Sequence, residues 1–146
     1  MKRYLIAFAM LGLMIMPVQA GAAEFIGKVE TSGVIFKDHI DIYAFNDPTI
    51  SGITCYVTTA VRSGLFAADP SDSSIACRKV GPIVGDFKGN MKNLFSQAKN
   101  AFFKTQTVDR FYDPERNAVV YISYTSKWSG DNHAHSISVV ALSSGM

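Results

Sequence analysis

The chain contains only two cysteines, Cys55 and Cys77, and each lies in a run of residues typical of a β-strand. The runs are Ile53–Val57 and Ile75–Val80, and the first continues to Val61 with the Thr, Val and Tyr residues that strands favour. Two such thiols could form a structural disulfide, a redox-active pair, half of a metal site or two separate buried residues. The compartment decides among these, because disulfides persist outside the reducing cytoplasm.

The N-terminus has the pattern of a secretory signal peptide, residues 1–20. The positive residues Lys2-Arg3 precede an uncharged apolar run, Tyr4–Met16, which is followed by small residues. We predict cleavage after Ala20, Ala22 or Ala23. A membrane anchor is the alternative, but an anchor needs roughly 20 apolar residues, and this run is shorter. We therefore expect export to the periplasm, with no membrane span after cleavage.

Removal of residues 1–20 makes the chain formally neutral. Lys2 and Arg3 are lost and no acidic residue is, which leaves 12 basic and 12 acidic side chains. The chain also lacks a run rich in Lys and Arg, so we expect no nucleic-acid partner. Residues 24–146 are long enough for one hydrophobic core, and we predict a single domain.

In an oxidising compartment, the cysteine pair is predicted to form a structural disulfide. Closing a loop of about 22 residues stabilises a fold by about 3 kcal/mol in the chain-entropy model. That is a large share of the roughly 5–15 kcal/mol typical of a whole domain. A redox-active pair is more often a C-x-x-C at the start of a helix, a spacing that this chain lacks. A redox or metal role is therefore the weaker alternative.

Apolar and alternating runs predict seven short strands. They are Glu24–Val29, Lys37–Phe45, Ile53–Val61, Ile75–Val80, Phe102–Tyr112, Ala118–Thr125 and His135–Leu142. Lys28 in the first run is typical of an edge strand, because its charge discourages edge-to-edge pairing. Gly81-Pro82 is expected to end the fourth strand. The sixth strand is apolar on both faces, which predicts a central position in a sheet.

Two helical elements are also predicted. Residues 90–99 contain apolar side chains at helical spacing, with Asn90 available as an N-cap. These side chains are Met91, Leu94, Phe95 and Ala98. An extended segment is the alternative, because the run is brief. A single helical turn could begin at Asp69, with Pro70 at its first helical position.

The segment Asp113–Asn117 predicts a hairpin turn between two strands. Pro114 follows Asp113 at the second turn position, and Asn117 tolerates a left-handed conformation at its end. Together, these elements predict a mainly β domain, with a β-rich α+β domain as a variant. We expect a single antiparallel sheet curled into a barrel or sandwich, with one disulfide and one or two short helices.

Three blocks of residues occur in a characteristic order after the N-terminal segment. They are Phe45, Asp47-Pro48, Gly52 and Thr54–Val57; then Asp69, Ser71-Asp72, Ile75, Cys77 and Val80–Ile83; then Arg110–Asp113, Arg116-Asn117, Tyr121 and Tyr124. In this order they resemble the CreA family of small bacterial periplasmic proteins, and the third block is the most specific. The resemblance implies a periplasmic, disulfide-containing domain. It implies no established activity.

His133 and His135 are the strongest metal-like feature of the sequence. Residues two apart on a strand face the same side, so two imidazoles could share one Zn²⁺ or Cu²⁺. A useful site needs a third and usually a fourth ligand, for which His39, Asp41 and Asp131 are candidates. Nothing in the sequence brings these residues together. We therefore favour a solvated junction between loop and strand, and we expect no cofactor.

Charged residues near the predicted hairpin could support hydrolysis. They are Asp109, Arg110, Asp113, Glu115 and Arg116. A hairpin end also carries turn-forming and solubilising charges, and Arg110 could simply pair with a carboxylate in the sheet. A triad of His39, Asp38 or Asp41 and a serine is a further arrangement, but the G-x-S-x-G elbow is absent. We favour structural roles for these residues.

We therefore predict a non-catalytic binding or accessory module of the cell envelope. Its partner is expected to be an envelope protein or a small ligand, because the tyrosines offer both apolar area and a polar tip. The residues expected to contribute to a binding surface are Asp47, Tyr56, Asp72, Arg110, Tyr112, Asp113, Arg116 and Tyr124. A metal-dependent or carboxylate-based hydrolase and a structural or stress-protective envelope protein are the alternatives. No oligomeric state is predicted.

Overall fold

In a computed structural model, the described residues form two four-stranded antiparallel sheets. The description covers residues 23–35, 37–64, 72–98, 104–127 and 134–142. The first sheet contains, in order, β1 (Glu24–Ser32), β2 (Asp38–Asn46), β3 (Ile50–Val61) and β4 (Ser73–Gly85). The second contains β5 (Met91–Ala98), β6 (Lys104–Asp113), β7 (Ala118–Lys127) and β8 (His135–Ala141). Each sheet is therefore built from one contiguous half of the chain.

The prediction of a mainly β fold is confirmed, and the prediction of a single sheet is wrong. Of the two predicted arrangements, the barrel is wrong, whereas two sheets are consistent with the sandwich. β4 and β8 lie side by side, yet no backbone ladder joins them in the described residues. A hydrogen bond to a side chain connects the two strands instead: the N–H of Cys77 on β4 donates to Ser138 Oγ on β8 at 2.8 Å. Because the ladder is interrupted at this seam, the strands form two sheets.

The hydrophobic core lies between the sheets and receives side chains from both. Phe45 of β2 stacks on Phe95 of β5 with ring centroids 5.4 Å apart, and Tyr43 lies 6.3 Å from the same ring. The other buried members of this cluster are Ile50, Ile53, Cys55, Val57, Ile75, Leu94, Val108, Val119, Tyr121 and Val140. The sheets therefore pack face to face.

The two cysteines form a disulfide between β3 and β4, as predicted. Cys55 and Cys77 stand directly opposite each other in the antiparallel ladder, 22 positions apart in the sequence. Cys55 is fully buried in the core. The bridge therefore ties an interior strand of the first sheet to the edge strand β4.

Residues 90–99 contain strand β5, so the predicted helix is wrong and the extended alternative is confirmed. A bulge interrupts the β5–β6 ladder between Met91 and Phe95, and Asn93 within it has a left-handed φ of 57°. Both Leu94 and Phe95 are buried as a result. Two consecutive inward residues interrupt the alternation that is typical of a strand, and the resulting spacing of apolar residues resembles that of a helix.

Strand β4 continues past Gly81-Pro82 to Gly85, so the predicted end of this strand is wrong. A proline is tolerated there because β4 is an edge strand of the first sheet. The β3–β4 ladder is irregular at this point, next to Gly52. Gly52 has a φ of +82°, and a Cβ at this position would lie 2.3 Å from the carbonyl oxygen of Pro82. Only glycine fits this close approach.

We expect Gly52→Ala to destabilise the fold by about 1–3 kcal/mol, because alanine is strained at this φ and clashes with a neighbouring carbonyl group. The matched control is Gly27→Ala, since a Cβ on Gly27 meets nothing within 4 Å. Urea unfolding of both variants measures the difference. Equal unfolding midpoints for the two variants would contradict the argument.

Other sequence-based predictions are confirmed around the β6–β7 turn. Asp113 Oδ1 accepts the N–H groups of Glu115 and Arg116 at 3.1 and 3.2 Å, and Asn117 has a left-handed φ of 46°. β7 lies between β6 and β8, as expected for a strand that is apolar on both faces. β1, which carries Lys28, is an edge strand.

Some predictions concern residues outside the described part of the chain. They are the signal peptide over residues 1–20, the helical turn at Asp69-Pro70, and the candidate metal ligands Asp131 and His133. Within the described ranges, no helix has the length and apolar character needed to cross a bilayer.

Candidate functional site at the turn end of the sheets

Three turns of the described chain meet at one end of the two sheets, which we call the turn end. They connect β2 to β3, β4 to β5 and β6 to β7, and comprise residues 47–49, 86–90 and 114–117. Thr49 Oγ1 lies 3.4 Å from the carbonyl oxygen of Asp86. The ring of Phe87 lies 5.8 Å from that of Tyr112, the residue before the last of β6. Segments distant in the sequence therefore share one surface.

Asp47 organises the first of these turns. Its Oδ1 accepts the backbone N–H groups of Thr49 and Ile50 at 2.9 and 3.0 Å. An aspartate that accepts backbone bonds two and three residues ahead is a standard way to fix a turn. The Asp47 N–H donates in turn to the carbonyl oxygen of Ile53 at 3.2 Å, which closes the connection between β2 and β3.

Arg110 of β6 forms a buried ion pair with Asp47. Its Nη1 donates to both carboxylate oxygens at 2.9 and 2.8 Å and to Thr49 Oγ1 at 2.8 Å. Its Nη2 donates to the carbonyl oxygens of Asp86 at 3.2 Å and Gly89 at 3.5 Å. The two side chains are only 3% and 0% exposed. One guanidinium therefore ties two turns and both sheets together.

Tyr121 of β7 completes the network. It stands opposite Arg110 in the β6–β7 ladder, and its hydroxyl donates to Asp47 Oδ2 at 2.7 Å. Burial raises the pKa of the Tyr121 hydroxyl far above its usual value near 10, and the Asp47 carboxylate raises it further. Tyr121 is therefore a permanent hydrogen-bond donor at neutral pH.

The raised pKa of Tyr121 predicts an alkaline limit to stability. In the unfolded chain this tyrosine ionises near pH 10, whereas in the folded chain it keeps its proton. The contribution of Tyr121 to the free energy of unfolding is therefore complete below pH about 10, and it is lost as the pH rises above that value. In a titration followed by tyrosinate absorbance, we expect one tyrosine to ionise only together with loss of the circular dichroism signal. That step should be missing in Tyr121→Phe. Reversible ionisation of all tyrosines in the folded protein would contradict this assignment.

A second, exposed ion pair lies on the third turn. Arg116 Nη1 donates to Asp113 Oδ2 at 3.0 Å, and the Arg116 side chain is 73% exposed. The hydrogen bond from the Arg116 side chain lowers the pKa of the Asp113 carboxyl below its usual value. Water screens this pair, so its contribution to folding is small. It is nevertheless accessible to a partner.

A cleft of about 500 Å³ opens beside the first turn. Its walls are residues 46–53 and two valines of β4, Val80 and Val84. Both valines are more than half exposed. Asp47 also lines this cleft, but its side chain is fully buried and its carboxylate oxygens are bonded within the network described above. The accessible part of the cleft therefore combines apolar side chains with neutral polar groups such as those of Thr49 and Ser51.

Comparison with known proteins gives the family. Residues 26–145, which include the turn end, the second sheet and all but the first two residues of the first sheet, match the family model described as CreA protein. The chain belongs to the CreA family. Protein CreA of Escherichia coli strain K12 is 37% identical over 133 residues, which cover 81% of this chain and 83% of that protein. Protein CreA of strains O6:H1 and O157:H7 gives the same values. No solved structure matches the chain.

In this CreA-family protein, five of the eight residues predicted for a binding surface lie at the turn end. They are Asp47, Arg110, Tyr112, Asp113 and Arg116. The other three lie apart. Tyr56 is in β3 of the first sheet, Asp72 precedes β4 at the end opposite the turns, and Tyr124 is in β7. Asp47 and Arg110 are buried, so they hold the turns in place and are not themselves exposed at the turn end.

The carboxylate of Asp109 does not join this group in the CreA-family protein. It accepts the Asn93 N–H at 2.8 Å and the Tyr124 hydroxyl at 3.1 Å, on the face of β6 opposite to Arg110. Burial raises the pKa of the Tyr124 hydroxyl, and the Asp109 carboxylate adds to this effect. Adjacent residues of a strand face opposite sides, so Asp109 and Arg110 cannot act on the same substrate atom.

The histidine arrangements are not assembled among the described residues. His39 Nε2 lies 3.5 Å from Asp41 Oδ1, and its Nδ1 lies 3.4 Å from the carbonyl oxygen of Lys37. No described serine hydroxyl bonds to His39, so no triad forms there. His135 stands opposite Tyr124 in the β7–β8 ladder. The described part of the chain contains no group of three or more His, Cys, Asp or Glu residues that could hold a metal ion.

Sequence reasoning did not mention Thr49, and it noted Tyr121 only within the third block of the family resemblance, without a place in the site. A tyrosine on the inner face of a central strand needs a partner for its hydroxyl, and this requirement is the signal that could have identified Tyr121. The backbone acceptors Asp86 and Gly89 carry no such signal, because every residue has a carbonyl group.

Proposed function

We propose that this CreA-family protein is an exported, non-catalytic binding or accessory module of the cell envelope, and that it binds its partner at the turn end. The observation that carries the proposal is the mutual hydrogen-bonding of the buried Asp47, Arg110 and Tyr121 side chains: both Asp47 oxygens and the Tyr121 hydroxyl are engaged, and only Arg110 Nε has no hydrogen-bond partner among the described residues of this network. A catalytic carboxylate or tyrosine must be able to bond to a substrate. Here the Asp47 carboxylate is bonded to Arg110, to Tyr121 and to the backbone of the first turn, and the Tyr121 hydroxyl is bonded to Asp47.

The same network favours binding, because it holds the turns in one conformation before a partner arrives. Arg110 bonds to backbone or side-chain groups of the first and second turns. Loops held by a rigid sheet are the usual location of binding residues. A surface that is already ordered loses less conformational entropy on association, so it gains affinity without additional contacts.

The cleft beside the first turn suggests the chemistry of the partner. Val80 and Val84 offer apolar area, and Thr49 and Ser51 offer neutral polar groups. An uncharged segment of an envelope protein, with an apolar side chain flanked by backbone groups, suits these walls. The exposed Asp113–Arg116 pair of the third turn is a further polar group at the turn end.

A photo-crosslinking amino acid at Val84 tests the binding site in the producing cell. Val84 is 65% exposed beside the cleft, and the matched control is Val29, which is 55% exposed on β1. We expect an adduct of discrete mass from position 84 and none from position 29. Identical adduct patterns at the two positions, or no adduct at either, would refute binding at the turn end.

Export supports the proposal through the disulfide, since disulfides persist in oxidising compartments. It is tested by cell fractionation and by mass spectrometry of the N-terminus. We expect the periplasmic fraction to contain a chain that starts at residue 21, 23 or 24. An intact N-terminus in the cytoplasmic fraction would remove the export part of the proposal.

A further inference from the structure

Met91 is the one methionine in the part of the chain that the structure describes, and it lies at the turn end. Of the six methionines in the sequence, four precede residue 20 and one is the last residue. Met91 is the first residue of β5, an edge strand of the second sheet, and its side chain is partly buried against the hydrophobic core. A partly exposed thioether on an edge strand is within reach of a small reagent in solution.

The sulfur atom of Met91 contacts the hydroxyl of Thr49, a member of the buried network. Thr49 Oγ1 lies 3.8 Å from Met91 Sδ, and it accepts a hydrogen bond from Arg110 Nη1 at 2.8 Å. Met91 and Arg110 stand directly opposite each other in the β5–β6 ladder. The thioether, the threonine hydroxyl and the guanidinium therefore meet at one place.

The hydroxyl proton of Thr49 has three candidate acceptors and bonds closely to none of them. Besides Met91 Sδ, they are Asp47 Oδ1 at 3.2 Å and the carbonyl oxygen of Asp86 at 3.4 Å, whereas O–H···O bonds are normally about 2.5–3.0 Å long. Asp47 Oδ1 already accepts three N–H groups, and the Asp86 carbonyl oxygen accepts one from Arg110. Met91 Sδ accepts no other hydrogen bond from the described residues, but a thioether is a weak acceptor.

Arg110 supplies a second poorly satisfied donor. Its Nε has no hydrogen-bond partner among the described residues, although the side chain is only 3% exposed. A buried donor without a partner costs free energy, and the cost is larger for a charged group. Both donors therefore belong to direct neighbours of Met91, and each lacks a close acceptor.

We propose that Met91 is an oxidation site, and that the fold accommodates its sulfoxide because the new oxygen accepts the Thr49 hydroxyl. With hydrogen peroxide, a lone pair of Sδ attacks one peroxide oxygen, and the S–O bond forms as the O–O bond breaks. The other oxygen leaves as hydroxide, takes the proton of the transferred hydroxyl and departs as water. The thioether is oxidised by two electrons, and the peroxide is reduced by two.

The surroundings of Met91 differ from those of an ordinary core methionine. A sulfoxide is polar, so it normally disrupts an apolar core. Here the side chain packs against the core, but its sulfur meets a hydroxyl. Oxidation therefore replaces a weak contact with a normal hydrogen bond, and the turns keep their conformation. Methionine sulfoxide reductases reverse the modification. The inference concerns the chain alone, so it does not depend on binding of a partner at the turn end.

Peroxide treatment of the protein as recovered from the cell, followed by peptide mass spectrometry and thermal unfolding, tests this inference. We expect Met91 in the folded protein to gain one oxygen at a rate within about tenfold of its rate in urea-unfolded protein. The oxidised protein should melt within roughly four degrees of the untreated protein. Met91→Leu is the control for the other methionines, because they are oxidised in both proteins.

Thr49→Val tests whether Thr49 is the donor to the new oxygen. The variant keeps the shape of the side chain but lacks the hydroxyl, so the sulfoxide loses its partner. We expect oxidation to lower the melting temperature of Thr49→Val by at least about four degrees more than that of the unaltered protein. Thr58→Val is the matched control, since Thr58 bonds to Ser74 of β4 and not to Met91. Oxidation should affect it as it affects the unaltered protein.

Three results would overturn the inference. Oxidation of Met91 only at urea concentrations that unfold the protein would show that the sulfur is inaccessible in the fold. A larger fall in melting temperature on oxidation of the unaltered protein, absent from Met91→Leu, would show that the sulfoxide is not accommodated. An equal effect of oxidation on Thr49→Val and Thr58→Val would show that Thr49 is not the donor. The first two results do not require Thr49→Val to fold.

Discussion

Replacing Arg110 with alanine is expected to destabilise the fold by about 3–5 kcal/mol, because the buried Asp47 carboxylate would lose its ion-pair partner. Asp47 keeps its backbone donors in this variant, but these do not neutralise a charge that is shielded from water. For a domain of this size, a loss of 3 kcal/mol lowers the melting temperature by roughly ten degrees or more. Thermal and urea unfolding at neutral pH measure the change.

Arg116→Ala is the matched control for this substitution. It removes the same type of side chain from an ion pair with an aspartate, but one that is open to solvent. We expect its melting temperature to stay close to that of the unaltered protein. The double variant Asp47→Ala/Arg110→Ala should lose less stability than the sum of the two single changes, since neither charge is then left unpaired. If Arg110→Ala were as mild as Arg116→Ala, the network would not join the sheets.

Cys55→Ser is expected to lower the melting temperature by more than ten degrees. The bridge closes a loop of about 22 residues, which contributes about 3 kcal/mol by restricting the unfolded chain. Cys55 is fully buried, so the variant also places a hydroxyl in an apolar position. Cys55→Ala separates the two effects, because it lacks the bridge without adding a polar group.

Reduction of the unaltered protein is the second control for the bridge. A thiol reductant should lower its melting temperature to near that of Cys55→Ala, and it should not affect either variant. Two titratable thiols in protein taken from its native compartment would show that the bridge does not form there. An unchanged melting temperature for Cys55→Ala would show that the bridge does not stabilise the fold.

Most strands could be predicted because apolar and polar residues alternate along them, as expected when one face of a strand is buried. The bounds of β2, β6, β7 and β8 are close to those expected, and so is the turn at Asp113–Asn117. Two errors came from bulges. In β5, the bulge at Asn93 brings Leu94 and Phe95 inward together. In β4, an irregular ladder opposite Gly52 lets the strand pass Pro82. Local patterns assume a regular register, and neither segment has one.

The number of sheets could not be predicted, because it depends on contacts between strands far apart in the sequence. Nothing in the residues around Cys77 indicates that its N–H bonds to a serine side chain of β8. The site was only partly predictable for the same reason. Sequence reasoning included both Asp47 and Arg110 and anticipated that the arginine could pair with a carboxylate. It could not identify a partner 63 positions away.

The division of the chain into two contiguous halves has a consequence for how the protein is assembled. A polypeptide threaded through a pore with its N-terminus leading presents residues 24–85 before β5 follows. Every ladder of the first sheet, and both sulfur atoms, are then available while the second half is still in transit. Arg110 lies in the second half, so Asp47 has no counter-ion until that half has also passed through the pore. Vectorial delivery would thus separate oxidation of the first half from docking of the second.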